Sequence, residues 1–277
     1  MIDRVEAIFP EFRGHSIVPL PGGWDFHAFE VDGDWIVRLP NRAEVEDWLA
    51  VETALLRELA PALPVSVPQP ELVRGRRGVA YRKLPGAELN ADDATPAIAG
   101  QLGATLRALH AFPVARAVAL GAIEFGVEHY RDFRWPQFRE RVLPLLSPDE
   151  RAEAENHARA LSDEYTPALA HRDLGRDHVL VRDGAVTGVI DWADAGVQDP
   201  AIDFAWLLHG VDDEFARAAL DAYDGSVDER FLARARFYHV LGPFYEVLYG
   251  LDFGRPKFVE SGLAGIKERL ERWPSSA

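Results

Sequence analysis

The chain contains no cysteine among its 277 residues, so disulfide bonds and thiolate metal sites are excluded. No apolar run approaches the ~18 residues that a membrane-spanning helix needs. The N-terminus carries acidic residues where a secretory signal would carry basic ones. We therefore expect a cytoplasmic protein that does not associate with a membrane. Hydrophobic residues make up 48% of the chain, which is enough for a large core.

Positive charge is scarce as well, because 30 Lys and Arg stand against 45 Asp and Glu, for a net charge of -15. This balance repels nucleic-acid phosphates, so we expect no nucleic-acid partner. The acids are concentrated in residues 183–230, which hold twelve Asp or Glu, two Arg and no Lys. Single acids there are typical of solvated helix faces and caps, but together they favour a cationic substrate.

The first third of the chain has the pattern of short strands and one helix. Residues 26–31 and 35–39 alternate apolar and polar side chains around Asp32-Gly33-Asp34, which predicts a β-hairpin. Apolar residues then recur at helical spacing from 43 to 59, and Glu52 falls on the same stripe. A carboxylate on a buried helix face requires a partner.

Strand patterns return around residues 71–73 and 79–84, and beyond about residue 90 the pattern is helical except near 170–205. A strand-rich beginning followed by a helix-rich remainder predicts two lobes with a cleft between them.

A polar loop and the end of an apolar strand carry the residues with the clearest chemistry. Asp173 follows His171-Arg172, His178 stands five residues further on, and Asp191 follows Val189-Ile190. Phosphoryl transfer to an alcohol requires an aligned hydroxyl group and neutralised phosphate charges. Asp173 is suited to accept the hydroxyl proton, while His178 and Asp191 stand where kinases place metal ligands. An isolated triplet of this kind would indicate only a capping Asp, but this one is not isolated.

Three motifs, His171-Arg172-Asp173-xxxx-His178, 188–195 and 199–205, resemble the catalytic block of aminoglycoside and macrolide phosphotransferases. The resemblance implies an α+β, bilobal, protein-kinase-like fold. It implies a small β-rich nucleotide-binding lobe at residues 1–85 and a larger helical lobe at 86–277 for catalysis and substrate binding. It also implies Asp173 and His171 as catalytic residues, His178 and Asp191 as metal ligands, and ATP or GTP with Mg²⁺ as cofactors.

The N-terminal part resembles the nucleotide site of the same family. The positions that the resemblance assigns to nucleotide binding are Gly22, Gly23, Arg38, Glu52, Arg82, Lys83 and Leu84. Arg38 stands where the family has a phosphate-binding lysine; it keeps the charge but differs in reach and geometry. Glu52 matches the helix Glu that pairs with this cation. In the catalytic block, Asp199 and Asp203 resemble residues that brace the catalytic loop.

The C-terminal part resembles the aminoglycoside kinases that modify a 2″-hydroxyl. The acceptor-binding positions implied are Asp194, Asp212, Asp213, Glu246 and Phe258. We therefore expect a monomeric small-molecule O-phosphotransferase that moves the γ-phosphate of ATP or GTP to a hydroxyl of a cationic antibiotic, preferably an aminoglycoside, and so gives antibiotic resistance.

Three alternatives remain open at this point. The acceptor could be a macrolide, or it could be a small basic metabolite or a peptide antibiotic, because a fold does not decide its substrate. The third alternative is a catalytically silent regulator that binds nucleotide. Arg38 and His178 favour that alternative, whereas the presence of both Asp173 and Asp191 argues against it. The feature that discriminates among acceptors is whether the acids between Asp194 and Asp213 converge on the cleft.

Overall fold

A five-stranded antiparallel sheet lies in the N-terminal region of the protein. The computed structural model describes residues 1–21, 25–42, 45–72, 77–159, 161, 164–225 and 227–274. The strands of the sheet are β1 (Ile17–Pro19), β2 (Phe26–Val31), β3 (Trp35–Pro40), β4 (Glu71–Leu72) and β5 (Val79–Arg82). They lie in the order β1-β2-β3-β5-β4.

The predicted hairpin is confirmed, because β2 and β3 pair from Phe26 opposite Pro40 to Val31 opposite Trp35. The turn between them places Asp32 at φ 51° and Gly33 at φ 76°, a left-handed backbone that Gly adopts freely and Asp tolerates. Arg38 lies in the middle of the sheet, between Ala28 on β2 and Val79 on β5.

Helices dominate the rest of the chain, in agreement with the apolar periodicity. They are α1 (Ile2–Ile8), α2 (Glu46–Leu59), α3 (Pro96–His110), α4 (Val114–Ala119), α5 (Trp135–Arg141), α6 (Pro148–Ala158), α7 (Ala205–His209), α8 (Asp213–Tyr223), α9 (Glu229–Asp252) and α10 (Pro256–Arg272). The helix predicted from residue 43 is α2; residues 43 and 44 lie outside the described ranges. No helix within those ranges has the length and apolar character needed to cross a membrane.

Two small antiparallel sheets occupy the motif region and position its loops. Their strands are β6 (Ala87–Glu88), β7 (Ala168–Ala170), β8 (Val179–Arg182), β9 (Ala185–Val189) and β10 (Gly196–Gln198). One sheet has the order β6-β8-β9 and the other pairs β10 with β7. The loop 171–178 therefore connects β7 to β8, and the loop 190–195 connects β9 to β10.

The largest hydrophobic core joins the N-terminal helix α2 to the helical region. Leu55, Leu56 and Leu59 of α2 share this core with Leu102 and Leu106 of α3, and all five are at most 2% exposed. The backbone N–H of Val189 also donates to the carbonyl of Ser66 at 3.0 Å. The helix that carries Glu52 is thus anchored on the larger region, while a division of the chain at residue 85 stays a prediction.

Three histidines are packed around Trp273 at the end of α10. The Nε2–H of His157 donates to the carbonyl of Trp273 at 2.7 Å. The ring centroids of His209 and His239 lie 5.3 Å and 4.7 Å from that of Trp273. Burial, together with nearby arginines, lowers the pKa of His209 to about 4 and that of His239 to about 2. Both imidazoles are therefore neutral in the folded protein at physiological pH.

We expect His209 and His239 to lower the free energy of unfolding when the pH is lowered from 7.5 to 5.5. Below pH 6.5, each of these histidines takes up a proton in the unfolded chain but not in the folded protein. Each therefore lowers the free energy of unfolding by on the order of 1 kcal/mol at pH 5.5. Urea unfolding at both pH values measures the difference. His209→Gln should show a smaller pH dependence than the wild type; an equal dependence would contradict the assignment of a neutral His209.

Candidate active site

The loop after β7 is held by the buried carboxylate of Asp203. This carboxylate accepts hydrogen bonds from the backbone N–H groups of His171 at 2.9 Å and Arg172 at 2.7 Å. It also accepts one from Nε2 of His110 at 3.0 Å. Burial alone would raise the pKa of Asp203, but the hydrogen bond and charge of His110 and the backbone donors lower it. The loop is therefore braced by a carboxylate that remains ionised.

The imidazole of His171 points into the protein and is 1% exposed. Its Nε2–H donates to the carbonyl of Ile190 at 3.0 Å, and its Nδ1 accepts the backbone N–H of Asp173 at 3.3 Å. The ring also packs edge-on against Trp192 at 4.7 Å. Because burial lowers the pKa of this ring, it stays neutral in the single tautomer that fits both bonds. His171 thus ties the loop of Asp173 to the residue that precedes Asp191.

Asp173 lies at the surface, in the loop between β7 and β8. Its side chain is 60% exposed. The surrounding protein, together with Asp194, Asp191 and Asp177, outweighs the opposing charge of His178 and raises the pKa of the carboxyl to about 7. A carboxylate with a pKa near neutrality is suited to accept a proton from a reacting hydroxyl group.

His178 ends a short 3₁₀ turn, Arg176–His178, beside Asp173 and Asp191. Its Nδ1–H donates to the backbone carbonyl of Asp173 at 2.6 Å, and Nε2 lies 3.7 Å from Oδ2 of Asp191. Burial disfavours the charged ring, but Asp173 and Asp191 outweigh it and raise the pKa of His178. In the neutral ring, the proton lies on Nδ1 and the lone pair of Nε2 is available to a metal ion.

The described part of the chain holds no group of three or more His, Asp or Glu side chains with metal-ligand spacing. His178 and Asp191 therefore offer two ligands rather than a complete cage. Two ligands suit Mg²⁺, which usually keeps several waters and takes other ligands from the phosphates of its nucleotide.

Asp191 and Arg172 both adopt a left-handed backbone, with φ of 60° and 72°. This conformation is uncommon for residues other than glycine, and such strain is concentrated at functional sites in proteins. Each residue lies in one of the two loops that form the site, so both loops are held in conformations that the surrounding hydrogen bonds must maintain.

A buried ion pair joins β3 to α2. Nη1 of Arg38 lies 2.6 Å from Oε1 of Glu52, and Nη2 lies 3.4 Å from Oδ1 of Asp191. The guanidinium also lies 4.4 Å from the ring centroid of Phe26. Burial opposes the charge, but Glu52, Tyr81 and Asp191 outweigh that effect and raise the pKa of Arg38. The partner that the sequence required for Glu52 is therefore Arg38, and the guanidinium also reaches the carboxylate of Asp191.

We call residues 82–84, which the resemblance assigns to nucleotide binding at the end of β5, the hinge. They border a surface cavity of about 330 Å³, which Asp34 and Gly86 also line. The backbone N–H of Lys83 donates to the carbonyl of Asp34 at 2.8 Å and is not free for a purine. Its Nζ pairs with Glu30 at 2.5 Å. The hinge side chains thus engage the β2–β3 hairpin. Gly22 and Gly23 lie outside the described residues.

Of the five predicted acceptor residues, Asp194 lies beside the catalytic loop. Burial raises the pKa of its carboxyl, and Asp191 and Asp25 raise it further against Arg172. Asp213 is an exposed residue in the first turn of α8.

Asp212 contacts its own helix, whereas Glu246 and Phe258 make contacts between α9 and α10. Asp212 caps α8 by accepting the N–H of Phe215 at 2.8 Å. Glu246 on α9 accepts the hydroxyl of Ser261 at 2.5 Å, and the ring of Phe258 lies 5.0 Å from that of Tyr249.

Arg172 is a residue of the site that sequence reasoning missed. Its Nε donates to Oε1 of Gln198 at 2.6 Å and its Nη1 to the carbonyl of Asp194 at 2.8 Å. Its guanidinium lies 3.5 Å from the ring centroid of Phe125. The only signal in the sequence was the position of Arg172 next to Asp173. Asp199, expected to brace the loop, instead binds Nε of Arg234 on α9 at 2.7 Å.

Comparisons with known proteins agree on one family. Residues 16–238 match the sequence model of the phosphotransferase enzyme family, APH. Viomycin phosphotransferase of Streptomyces vinaceus is 29% identical over 248 residues, which cover 83% of this chain and 82% of that protein.

Solved structures match over nearly the whole chain. The GDP and kanamycin complex of APH(2″)-IIIa has a TM-score of 0.87 at 25% identity and covers 98% of both chains. The apoenzyme of macrolide 2′-phosphotransferase MphH from Brachybacterium faecium has a TM-score of 0.74 at 28% identity, over 94% of this chain and 98% of that one. These likenesses confirm the predicted α+β fold, with its β-rich N-terminal and helical C-terminal regions.

Proposed function

The chain belongs to the phosphotransferase enzyme family, and from this premise we propose that it moves the γ-phosphate of ATP or GTP to a hydroxyl of a cationic antibiotic, preferably an aminoglycoside. The observation that carries the proposal is the assembly of Asp173, His178, Asp191 and the Arg38–Glu52 pair in one connected site. It combines a base, two metal ligands and a fixed cation, which are the parts that phosphoryl transfer requires.

In the proposed reaction, the acceptor hydroxyl lies against the carboxylate of Asp173. The bond between the γ-phosphorus and the bridging oxygen of the nucleotide breaks while a bond from the acceptor oxygen to the same phosphorus forms. The hydroxyl proton passes to Asp173, and a nucleoside diphosphate leaves with the electron pair of the broken bond. Asp173 supplies the alignment and the proton acceptor.

The phosphates would lie against Arg38, whose charge is held in place by Glu52. Mg²⁺, held by His178 and Asp191, would neutralise the phosphate charges. His171 contacts backbone groups on both loops, and Asp203 binds the backbone N–H groups of His171 and Arg172. We therefore assign His171 and Asp203 a positioning role rather than contact with the reacting atoms.

The charge around Asp173 supports a cationic acceptor. Asp177, Asp191 and Asp194 all lie near enough to affect the pKa of Asp173, and such a concentration of acids attracts positive charge. A second candidate acceptor is viomycin, the antibiotic named in the relative that matches 83% of this chain.

A phosphotransfer screen tests the function and the donor together. Wild-type protein is incubated with Mg²⁺ and either ATP or GTP in the presence of kanamycin, viomycin or a macrolide, and Asp173→Asn serves as the blank. We expect phosphorylated kanamycin. Turnover of the macrolide alone would overturn the cationic acceptor, and nucleotide binding without turnover of any acceptor would favour a silent regulator.

We expect His178→Ala to raise the Mg²⁺ concentration needed for half-maximal activity by about tenfold or more, since even outer-shell partners of metal ligands contribute ~10–100-fold. His178→Asn should retain most of the affinity, because an amide oxygen suits this ion. A Mg²⁺ titration of the phosphotransfer rate measures both. The control is His15→Ala, which removes an exposed histidine paired with Asp32. An unchanged Mg²⁺ requirement in His178→Ala would remove His178 from the metal site.

A further inference from the structure

The side chain of Arg172 connects three separate segments of the chain. Gln198 lies on β10, Asp194 lies in the loop after Asp191, and Phe125 lies before the π-helical turn His129–Arg134. The two side-chain partners give the planar guanidinium one hydrogen bond and one stacking face, and the carbonyl of Asp194 gives a second hydrogen bond. A lysine ammonium has neither the planar set of donors that makes both hydrogen bonds nor a flat face to stack on Phe125.

The contacts continue outward from Arg172 into what we call the aromatic wall, formed by Phe125, His129 and Phe133. The ring centroids of Phe125 and His129 are 5.0 Å apart, and those of His129 and Phe133 are 5.8 Å apart. Phe133 is 52% exposed, so the wall extends from the catalytic loop to solvent. Gln198, the partner of Arg172, also donates to the hydroxyl of Tyr130 at 3.0 Å, which fixes the same segment a second time.

The link between the wall and the loop of Asp173, made by Arg172, suggests the use of the wall. On one side of Asp173 lie His178 and Asp191, which the proposed mechanism assigns to metal and phosphates. Arg172, the neighbour of Asp173 in the chain, stacks on Phe125 of the wall and donates a hydrogen bond to the carbonyl of Asp194. Arg172 thus holds both aromatic faces and the loop of an acidic residue, Asp194, and these two groups suit a ring-shaped cationic acceptor with C–H faces and amines.

The backbone of Arg172 adds a second observation. With φ of 72°, this position is one that glycine occupies without strain, whereas arginine does not. The left-handed conformation is held by the Asp203 carboxylate, which accepts the N–H of Arg172 at 2.7 Å. The protein therefore maintains an unfavourable backbone conformation at a residue whose side chain makes the contacts described above.

We infer that Arg172 is a positioning residue that holds the aromatic wall and the Asp194 loop against Asp173 and thereby determines the affinity for the acceptor. This inference rests on the proposed transfer at Asp173. It assigns to Arg172 no contact with the phosphates, so nucleotide affinity should not depend on it.

The test compares Arg172→Gly and Arg172→Lys with the wild type. Glycine accepts the left-handed backbone, so the Gly variant separates loss of the side chain from backbone strain. We expect the KM for kanamycin to rise by about tenfold or more in both variants, while the KM for nucleotide changes by less than about twofold. Arg182→Gly, which removes an exposed arginine at the end of β8, is the matched control and should change neither KM.

Hydrogen exchange measured by mass spectrometry gives a readout that needs no acceptor. Arg172→Gly should speed exchange in peptides covering 122–134 and 192–198 and leave peptides covering 26–40 unchanged. Unchanged exchange in both segments, or an equal rise in both KM values, would overturn the inference. If the wild type phosphorylates no acceptor, the proposed function fails, and the exchange result still decides whether Arg172 holds the wall.

Discussion

We expect Asp173→Asn to lower the kcat of phosphotransfer by about 10²- to 10⁴-fold, the usual contribution of a positioned general base. The amide has nearly the shape of the carboxylate but cannot accept the hydroxyl proton. The carbonyl of Asp173 that receives Nδ1–H of His178 belongs to the backbone and is retained. Nucleotide affinity should therefore stay near that of the wild type, because the side chain of Asp173 is not among the groups assigned to the phosphates.

Single-turnover phosphotransfer and equilibrium binding of the nucleotide measure the two effects separately. The matched control is Asp183→Asn, which also removes one carboxylate. Asp183 is 94% exposed in its side chain and has φ of 53°, a conformation that Asn tolerates as well as Asp does. A rate for Asp173→Asn within a few-fold of the Asp183→Asn rate would contradict the role of Asp173 as the base.

Glu52→Gln should be the most destabilising single replacement in the nucleotide region. Breaking a buried ion pair by removing one partner typically lowers the free energy of unfolding by about 3–5 kcal/mol, since the other charge is left without compensation. In this protein that charge is Arg38, with 9% of its side chain exposed and the half-exposed Asp191 at 3.4 Å as its remaining acidic neighbour. Denaturant unfolding of the two proteins measures the loss.

The helix that carries Glu52 also offers the control. Glu46, in the first turn of α2, pairs with Arg77 at 2.8 Å, and both side chains are at least 36% exposed. Glu46→Gln should cost no more than ~1 kcal/mol, as exposed pairs usually do. The double variant Arg38→Met with Glu52→Leu should recover most of the stability but no phosphotransfer. Equal losses in Glu52→Gln and Glu46→Gln would mean that the buried pair contributes little.

Features that depend on neighbouring residues in the chain were predictable. The turn at Asp32-Gly33 follows from backbone preferences at two positions, and the structure places it between β2 and β3. The stripe that contains Glu52 indicated a buried carboxylate, and the structure supplies Arg38 as its partner. In both cases, the physical requirement, a positive φ or a counter-charge, can be stated from the local sequence.

Features that depend on which segments meet in space were not predictable. Asp199 and Asp203 lie four residues apart, yet one binds Arg234 on α9 and the other binds the loop of His171. The resemblance gives Asp212 as an acceptor position, and in the structure its side chain caps α8. The contact of Arg172 with Phe125 joins residues 47 positions apart, and no local preference reports such a contact.

The arginine at position 38 also determines how the proposed nucleotide site responds to reactive chemicals. A lysine at the phosphates of a nucleotide can lose its proton and attack an electrophile, so acylating analogues of nucleotides can label it. A guanidinium is not deprotonated in proteins, and the surroundings of Arg38 raise its pKa further. The three lysines of this chain are Lys83, Lys257 and Lys267, none of them on β3. Amine-directed covalent inhibitors designed for that position therefore meet a non-nucleophilic group here and leave it unmodified.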